Sequence, residues 1–440
     1  MNTLMILTCI LALAAPPYLD FSKEGAGVYT DTGAWADPEN LQSVRLGVLG
    51  PENSEQGRER RAAIQIALDE ANAQGGYRLR AASAATHPGD PACLLSDRSI
   101  PYEMVFRADD GPWGVAASQV VRMIHEDKVW TIIGGLDGQS THLAELVVAK
   151  TWVPVITPAA IDSTLDYANV PWVFRAMPAD QQQAKILVRY AKEKGFQRLV
   201  LITEAERESY AAKRRLLESA RHHQLFFFRQ FEYQPDAPDE IVPRLRESDS
   251  DAILLWGRAE SALSLIKALR QNGVRVPVLT SSLLAIPETE EAAPQLGELI
   301  VSAPYDLADP SGQLQSFRAK FHSRTGRQVG PVGVYSYDVT RLVLRAIENQ
   351  GLHHTRIRNG LMAAGYNGLA GRYQFDSLGG NQIPPVLLTL QRTGWKRVDG
   401  VSNLAKPVAR SRALWRLRFV TSEKAADSKN ESALRNSSAT

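Results

Sequence analysis

Short β-branched runs alternate with amphipathic helical stretches along this 440-residue chain, and the alternation starts twice. No other feature restricts the fold as much. In the first series Val44–Val48, Met104–Arg107, Trp130–Ile133 and Val153–Thr157 are strand candidates. Between them Gly57–Gln74, Trp113–Asp127 and Ser140–Lys150 read as helices. The first of these carries Ile64, Ala67, Leu68 and Ala71 on one face and stops at Gly75-Gly76. The second series runs through helix Gln181–Lys194, strand Leu199–Thr203, helix Tyr210–His223 and strand Leu225–Phe231. A helix around Ile241–Glu247, strand Ala252–Trp256, helix Ala259–Gln271 and strand Val276–Thr280 complete it. Pro310–Thr325 and Val334–Gln350 add two helices, and Gly371–Phe375 and Val386–Gln391 read as late strands. Strands alternating with helices of this length imply βαβ units around a parallel sheet. The expected fold class is therefore α/β with two doubly wound units.

Charge and cysteine content exclude several functions. Fifty Lys and Arg stand against 48 Asp and Glu, a formal charge of +2, which argues against a dedicated nucleic-acid binder. Two cysteines, Cys9 and Cys93, cannot build a disulfide framework or a four-ligand zinc site. Leu4–Ala15 is an uncharged apolar run, too short for a membrane-spanning helix but suited to the core of a secretory signal. Ala12-Leu13-Ala14 has the small-x-small form of a cleavage site, although Met1-Asn2-Thr3 lacks a Lys or Arg. Residues 1–15 are thus expected to be a signal peptide, 16–42 an extended leader, and the mature protein an extracytoplasmic one. The alternative for the same run is a buried N-terminal strand or helix. Arg78–Tyr102, with Pro88, Pro91 and Pro101, reads as an inserted surface loop. Residues 401–440 form a basic tail with eight Lys or Arg against three Asp or Glu.

Motifs for catalysis are scarce. No phosphate-binding loop, dinucleotide fingerprint, nucleophile elbow, H-E-x-x-H or C-x-x-C occurs, so no cofactor and no metal are expected. What remains is loop chemistry for a small ligand, which open α/β sheets bind beyond the carboxyl ends of their strands. The loops there are Gly50–Gly57, including Gln56, Gly134–Thr141, Pro158–Thr164, Glu204–Tyr210, Gly257–Ala259 and Ser281-Ser282. In Gly134–Thr141 the glycines let backbone approach a ligand, and the N–H groups of Gln139–Thr141 at a helix start favour an anionic group. The same segment also reads as a plain Ser or Thr helix cap.

From about Ser43 to Val398 the chain resembles the type I periplasmic solute-binding proteins, in particular the Leu/Ile/Val-binding family of ABC importers. The resemblance rests on VRLGVLGPENSEQGRERRAAIQIALDEANAQGG, WTIIGGLDGQSTHLAELVVAKTWVPVITPAA, VYSYDVTRLVLRAI and GLAGRYQFDSLGGNQ, in this order and spacing. It implies two Rossmann-like lobes joined by three hinge crossings, with the ligand between them. Lobe one would take 43–175 and 304–370, and lobe two 176–303 and 371–400. In amino-acid-binding members a Ser-rich helix start and an Ala-Ala-Thr turn hold the ligand carboxylate, while an acid and tyrosines hold its ammonium. Carried over, the helix start is Gly138, Gln139 and Ser140, with Gly138 where the first serine would stand, and the turn is Ala159, Ala160 and Ile161. Tyr210 matches a family tyrosine, Arg258 falls where another is expected, and Ser281-Ser282 occupy the place of the acid.

Losing that acid while gaining Arg258 points to an anionic group on the ligand without a strict need for an ammonium. Arg258 pairing with Glu260 or Glu204 is the competing reading. The resemblance implies a monomeric binding protein, not an enzyme, that serves an ABC permease. A ligand-sensing module feeding a membrane sensor shares the same sequence signature, and an enzyme on a similar α/β frame is the more distant alternative.

Overall fold

A computed structural model describes residues 37–38, 40–81, 94–363 and 365–398. The apolar run 1–15, both cysteines, most of the leader and the basic tail lie outside the described residues. Helices of ten residues or more are numbered below.

The first sheet holds β1 (Val44–Gly50), β4 (Tyr102–Ala108), β5 (Thr131–Gly134), β6 (Val155–Thr157) and β7 (Val173–Arg175), while β2 (Tyr77–Ala81) and β3 (Leu94–Ile100) form a separate ribbon. The strand order is β4-β1-β5-β6-β7 and every pairing is parallel. Parallel strands are covered on both faces, which explains why Val44, Leu46, Val48, Ile132, Ile133, Val155 and Ile156 are all fully buried. Helices α1 (Glu55–Ala73), α2 (Val115–His125) and α3 (Gly138–Thr151) connect these strands. Ser54 caps α1 by accepting the N–H of Gly57, and Ile64, Ala67 and Leu68 face inward as their spacing requires.

The second sheet contains β8 (Leu199–Glu204), β9 (Arg229–Tyr233), β10 (Ala252–Trp256), β11 (Val278–Thr280) and β12 (Leu299–Ala303). Helices α4 (Asp180–Glu193), α5 (Arg207–His222) and α6 (Ala259–Gln271) belong to this unit. The chain then adds α7 (Gly312–Thr325), α8 (Pro331–Gln350) and α9 (His354–Ala363), and the hairpin of β13 (Tyr366–Gly368) and β14 (Gly371–Tyr373). It ends in β15 (Val386–Gln391) and β16 (Gly394–Arg397), which join the second sheet antiparallel beside β12. That sheet reads β16-β15-β12-β11-β10-β8-β9.

The chain therefore passes between the two sheets three times: after β7, after β12 and before β15. The first and third passages are tied by backbone bonds, Arg175 N–H to the Gly379 carbonyl at 2.9 Å and Asn381 N–H to the Arg175 carbonyl at 3.0 Å. Asn381 is fully buried and donates its amide to the Ala176 carbonyl at 2.7 Å, and Phe174 meets Phe375 edge-on at 5.2 Å. Tyr335 of α8 donates to the Pro304 carbonyl in the second passage at 3.0 Å.

Several elements differ from the sequence-based expectations. Tyr77–Ala81 and Leu94–Ile100 form an antiparallel ribbon inside what reads as a surface loop. The reason is alternation: Tyr77 and Leu79 point inward and are buried, while Arg78 points outward to Asp97. The expected strand Leu225–Phe231 shifts to Arg229–Tyr233, because Phe226 is 79% exposed and the inward alternation falls on Phe231 and Tyr233. The sequence pattern does not single out β7, β12, β16 or α9.

Candidate functional site

Each sheet places two loops at its topological switch point, where strand order reverses and open α/β sheets bind ligands. In the first sheet these follow β1 and β5; in the second they follow β8 and β10.

After β5 the chain turns at Gly135, whose φ is +74°, and a side chain there would run into Thr141. Asp137 then caps α3, its carboxylate accepting the Ser140 N–H at 2.7 Å while its carbonyl accepts the Thr141 hydroxyl at 2.6 Å. The Thr141 N–H is also directed at the Asp137 carbonyl. Ser140 and Thr141 are thus satisfied by their own cap. Gly138 is the residue whose N–H faces the other lobe. A Cβ on Gly138 would lie 2.5 Å from Asp162 Oδ2, so Asp162 occupies the space that a family serine would need.

The Ala159-Ala160-Ile161 turn is closed in a similar way. The N–H groups of Ala159 and Ala160 both point at Thr157 Oγ1, at 3.3 and 3.0 Å, and all three turn residues are buried. Gln56 sits partly buried in the first turn of α1. Beside it the β1 end is held by Arg60, fully buried, whose guanidinium donates to the Leu49 carbonyl at 2.5 Å. Burial pushes the neighbouring Asp109 carboxyl up to about 6, with Arg60 pulling it down and Asp137 pushing it further up.

In the second unit, Arg258 precedes α6 and donates its Nε to Glu204 at 2.8 Å. Glu204 is fully buried and also accepts the Arg258 N–H at 2.6 Å and the Ser261 hydroxyl at 2.8 Å. These bonds of Arg258 stay within its own lobe, and they are the pairing named above as the competing reading. Ser282 is buried and donates its N–H to Gln183 Oε1 at 2.8 Å. Tyr210, in the first turn of α5, is 43% exposed.

Contacts that span the two units bring in residues that sequence reasoning missed. Glu208, in the first turn of α5, accepts the Gly138 N–H at 2.5 Å. Arg215, two turns further on, donates to the Ser163 hydroxyl at 3.1 Å and lies over the Tyr167 ring. Arg207 stands 3.8 Å from Asp162 Oδ2, an oxygen with no hydrogen-bond partner among the described residues. Burial is the main cause that raises the Glu208 carboxyl to about 8, and Asp137, Glu206 and Asp162 add to it. The signal available in the sequence was the acidic run Glu204-Ala-Glu206-Arg-Glu208 at a strand-to-helix turn facing the Gly138 loop.

Gly138→Ser should destabilise the fold by about 1–3 kcal/mol, because Asp162 has to be driven aside. In urea denaturation the double variant Gly138→Ser with Asp162→Ala should recover most of that loss. Equal stabilities for Gly138→Ser and the parent protein would show that Asp162 yields freely.

The sequence matches the family described as "Periplasmic binding protein" over residues 43–389. This chain belongs to that family. Among solved structures, the periplasmic binding protein is similar to the branched-chain amino acid transporter substrate-binding protein LivJ of Streptococcus pneumoniae in complex with isoleucine. The two are 19% identical, the TM-score is 0.68, and the likeness covers 81% of this chain and 99% of that one. The leucine-binding protein LivK of Thermotoga maritima gives 19% identity and a TM-score of 0.65, over 81% and 97% of the two chains. The solute-binding protein of an ABC transporter from R. palustris in complex with benzoate gives 16% and 0.66, over 81% and 95%. At these identities the likeness establishes the two-lobed fold. Comparison with curated proteins gives no match. No helix among the described residues is long and apolar enough to cross a membrane.

Proposed function

We propose that this binding protein works outside the cytoplasm, captures a small carboxylate-bearing, amino-acid-like solute between its lobes, and delivers it to an ABC-type permease. Residues 43–175 with 304–370 would move as one body and 176–303 with 371–400 as the other. The observation that carries the reading is the bond from Gly138 N–H to a carboxylate oxygen of the opposite lobe. It supports the reading through the chemistry of the helix start: the outward N–H donates to a carboxyl oxygen delivered across the cleft, and the positive end of the α3 dipole favours an anion there. A solute carboxylate in that position would contact both lobes, and a ligand that does so drives hinge closure. Solutes named for the structural relatives, isoleucine and benzoate, both carry a carboxylate.

Arg258 enters this proposal as a brace. Its Nε is committed to Glu204, and the exposed remainder of the guanidinium lies at the cleft edge of α6. The loops supplying Gln56, Gln139, Ser140, Ala159, Ala160, Ile161, Tyr210 and Ser282 are proposed to shape the remaining walls.

Titration calorimetry with leucine, isoleucine and benzoate against leucinamide, isoleucinamide and benzamide tests the reading. The acids should bind, and each amide should bind at least about tenfold more weakly, since a charge-assisted bond at the helix start contributes about 1.5–3 kcal/mol. Equal affinity for an acid and its amide would refute carboxylate capture.

A further inference from the structure

Glu208 approaches the helix start from the opposite lobe, and its neighbours are mostly of its own sign. Asp137 faces it from the α3 loop, Asp162 from the turn after β6, and Glu206 from its own loop. The basic side chains nearby engage Asp162: the Arg207 guanidinium and the His142 ring each stand 3.8 Å from its Oδ2. His142 is further bound to Glu145 at 2.6 Å and to Thr164 at 2.8 Å. Glu208 is partly buried and bonded to Gly138, and Asp137, Asp162 and Glu206 around it favour its protonated form. The bond is made to an N–H of the helix start that points to the opposite lobe.

Resting on the carboxylate-capture reading above, we propose that Glu208 is an internal stand-in for the solute's carboxylate, which latches the lobes together and must be displaced before solute binds. Glu208 thereby sets both the affinity threshold and the pH dependence of capture. A solute lacking a carboxylate cannot compete for the Gly138 N–H and leaves the latch in place. Arg215 bonded to Ser163 lies on the same helix and gives the latch a second anchor.

Protonation enters through the surrounding carboxylates. The latched carboxyl holds its proton up to about 8, against 4.5 for a free glutamate. The raised value means that the latch is strongest below the free value and is lost as pH rises through about 8. Solute affinity should therefore rise with pH across that window, at most tenfold per unit, and each binding event should release a proton.

Small-angle scattering on protein refolded from denaturant and freed of small molecules reads the latch without any solute. The parent protein should be compact at pH 6 and expand above pH 8. Glu208→Gln keeps an oxygen for the Gly138 N–H without titrating, and should stay compact at both pH values. Glu208→Ala should be expanded at both. In calorimetry with leucine, isoleucine and benzoate, Glu208→Ala should bind about tenfold more tightly than the parent, the equivalent of one lost hydrogen bond. If Glu208→Ala scatters like the parent at both pH values, the latch is overturned, whatever the solute result. If it expands but no carboxylate binds to any variant, the latch stands as a lobe contact and it is the capture reading that fails.

Discussion

Asp338→Ala is expected to destabilise the protein by about 4 kcal/mol. Asp338 lies in α8, fully buried, and accepts the N–H groups of Leu369 and Ala370 at 2.8 Å each and the Tyr373 hydroxyl at 2.9 Å. Those donors belong to the β13–β14 hairpin, so one carboxylate holds the hairpin to α8. Alanine would leave three buried donors unpaired and a cavity beside them, and each orphaned donor costs roughly 1–3 kcal/mol before relaxation. Gly368 belongs to the same arrangement: a Cβ there would lie 2.5 Å from the carboxylate, so only glycine allows the approach. Asp338→Asn keeps an acceptor and should cost about 1–2 kcal/mol. Chemical denaturation of both variants checks the order, and a loss under about 1 kcal/mol for Asp338→Ala would mean that the hairpin is held by other contacts.

Stability should fall by about 3 kcal/mol between pH 6 and pH 8.5. Two carboxyls dominate that window. Glu208 is raised to about 8, and Glu59 is raised to about 7, in each case chiefly by burial. Glu59 accepts the N–H groups of Gly330 and Gly333 at the start of α8, and Glu288 adds repulsion. A carboxyl whose folded value lies above its free value binds protons more tightly when folded. Its contribution is complete below 4.5 and is lost as pH rises through about 7 or 8. A tenfold difference in proton affinity between the folded and unfolded chain is worth roughly 1.4 kcal/mol, and partial solvent access reduces the sum to the stated figure. His354 has the opposite sign, since burial lowers it to about 4, and it offsets part of the loss only at the bottom of the window, around its free value of 6.5. Asp109, Asp180 and Asp338, each raised to about 6, lose most of their contribution below the window. Urea midpoints measured from pH 6 to 8.5 test this, and the double variant Glu59→Gln with Glu208→Gln should flatten the profile. A profile that is flat or rising in the parent protein would contradict it.

The family and the lobe architecture were legible because they depend on local pattern. A buried parallel strand must be apolar along its length, so Ala252–Trp256 is found at its expected boundaries. The helix Ala259–Gln271 is likewise as expected, because its apolar stripe and the following Asn272-Gly273 are sequence-local signals. The two motifs VYSYDVTRLVLRAI and GLAGRYQFDSLGGNQ, about thirty residues apart, prove to be the two halves of the Asp338 clamp. Short elements were less legible. β7 has three residues, too few for any periodicity to register, and it exists because β6 pairs along it.

The chemistry between the lobes depended on tertiary structure. Sequence reading placed the functional charge on Arg258, because a guanidinium in a cleft loop is visible in isolation. Whether it is available depends on Glu204, 54 residues away, which the β8–β10 pairing brings within 2.8 Å. Glu208 and Gly138 are 70 residues apart and lie in helices that follow strands of different sheets. Their bond exists because the three passages between the sheets bring the α5 start against the α3 start. Local sequence thus determined the elements, the two lobes and the loops at their switch points. Which charges remain available in the cleft, and which are spent on one another, was decided by packing, since a charge–charge or hydrogen-bond energy depends on separation in space and not along the chain.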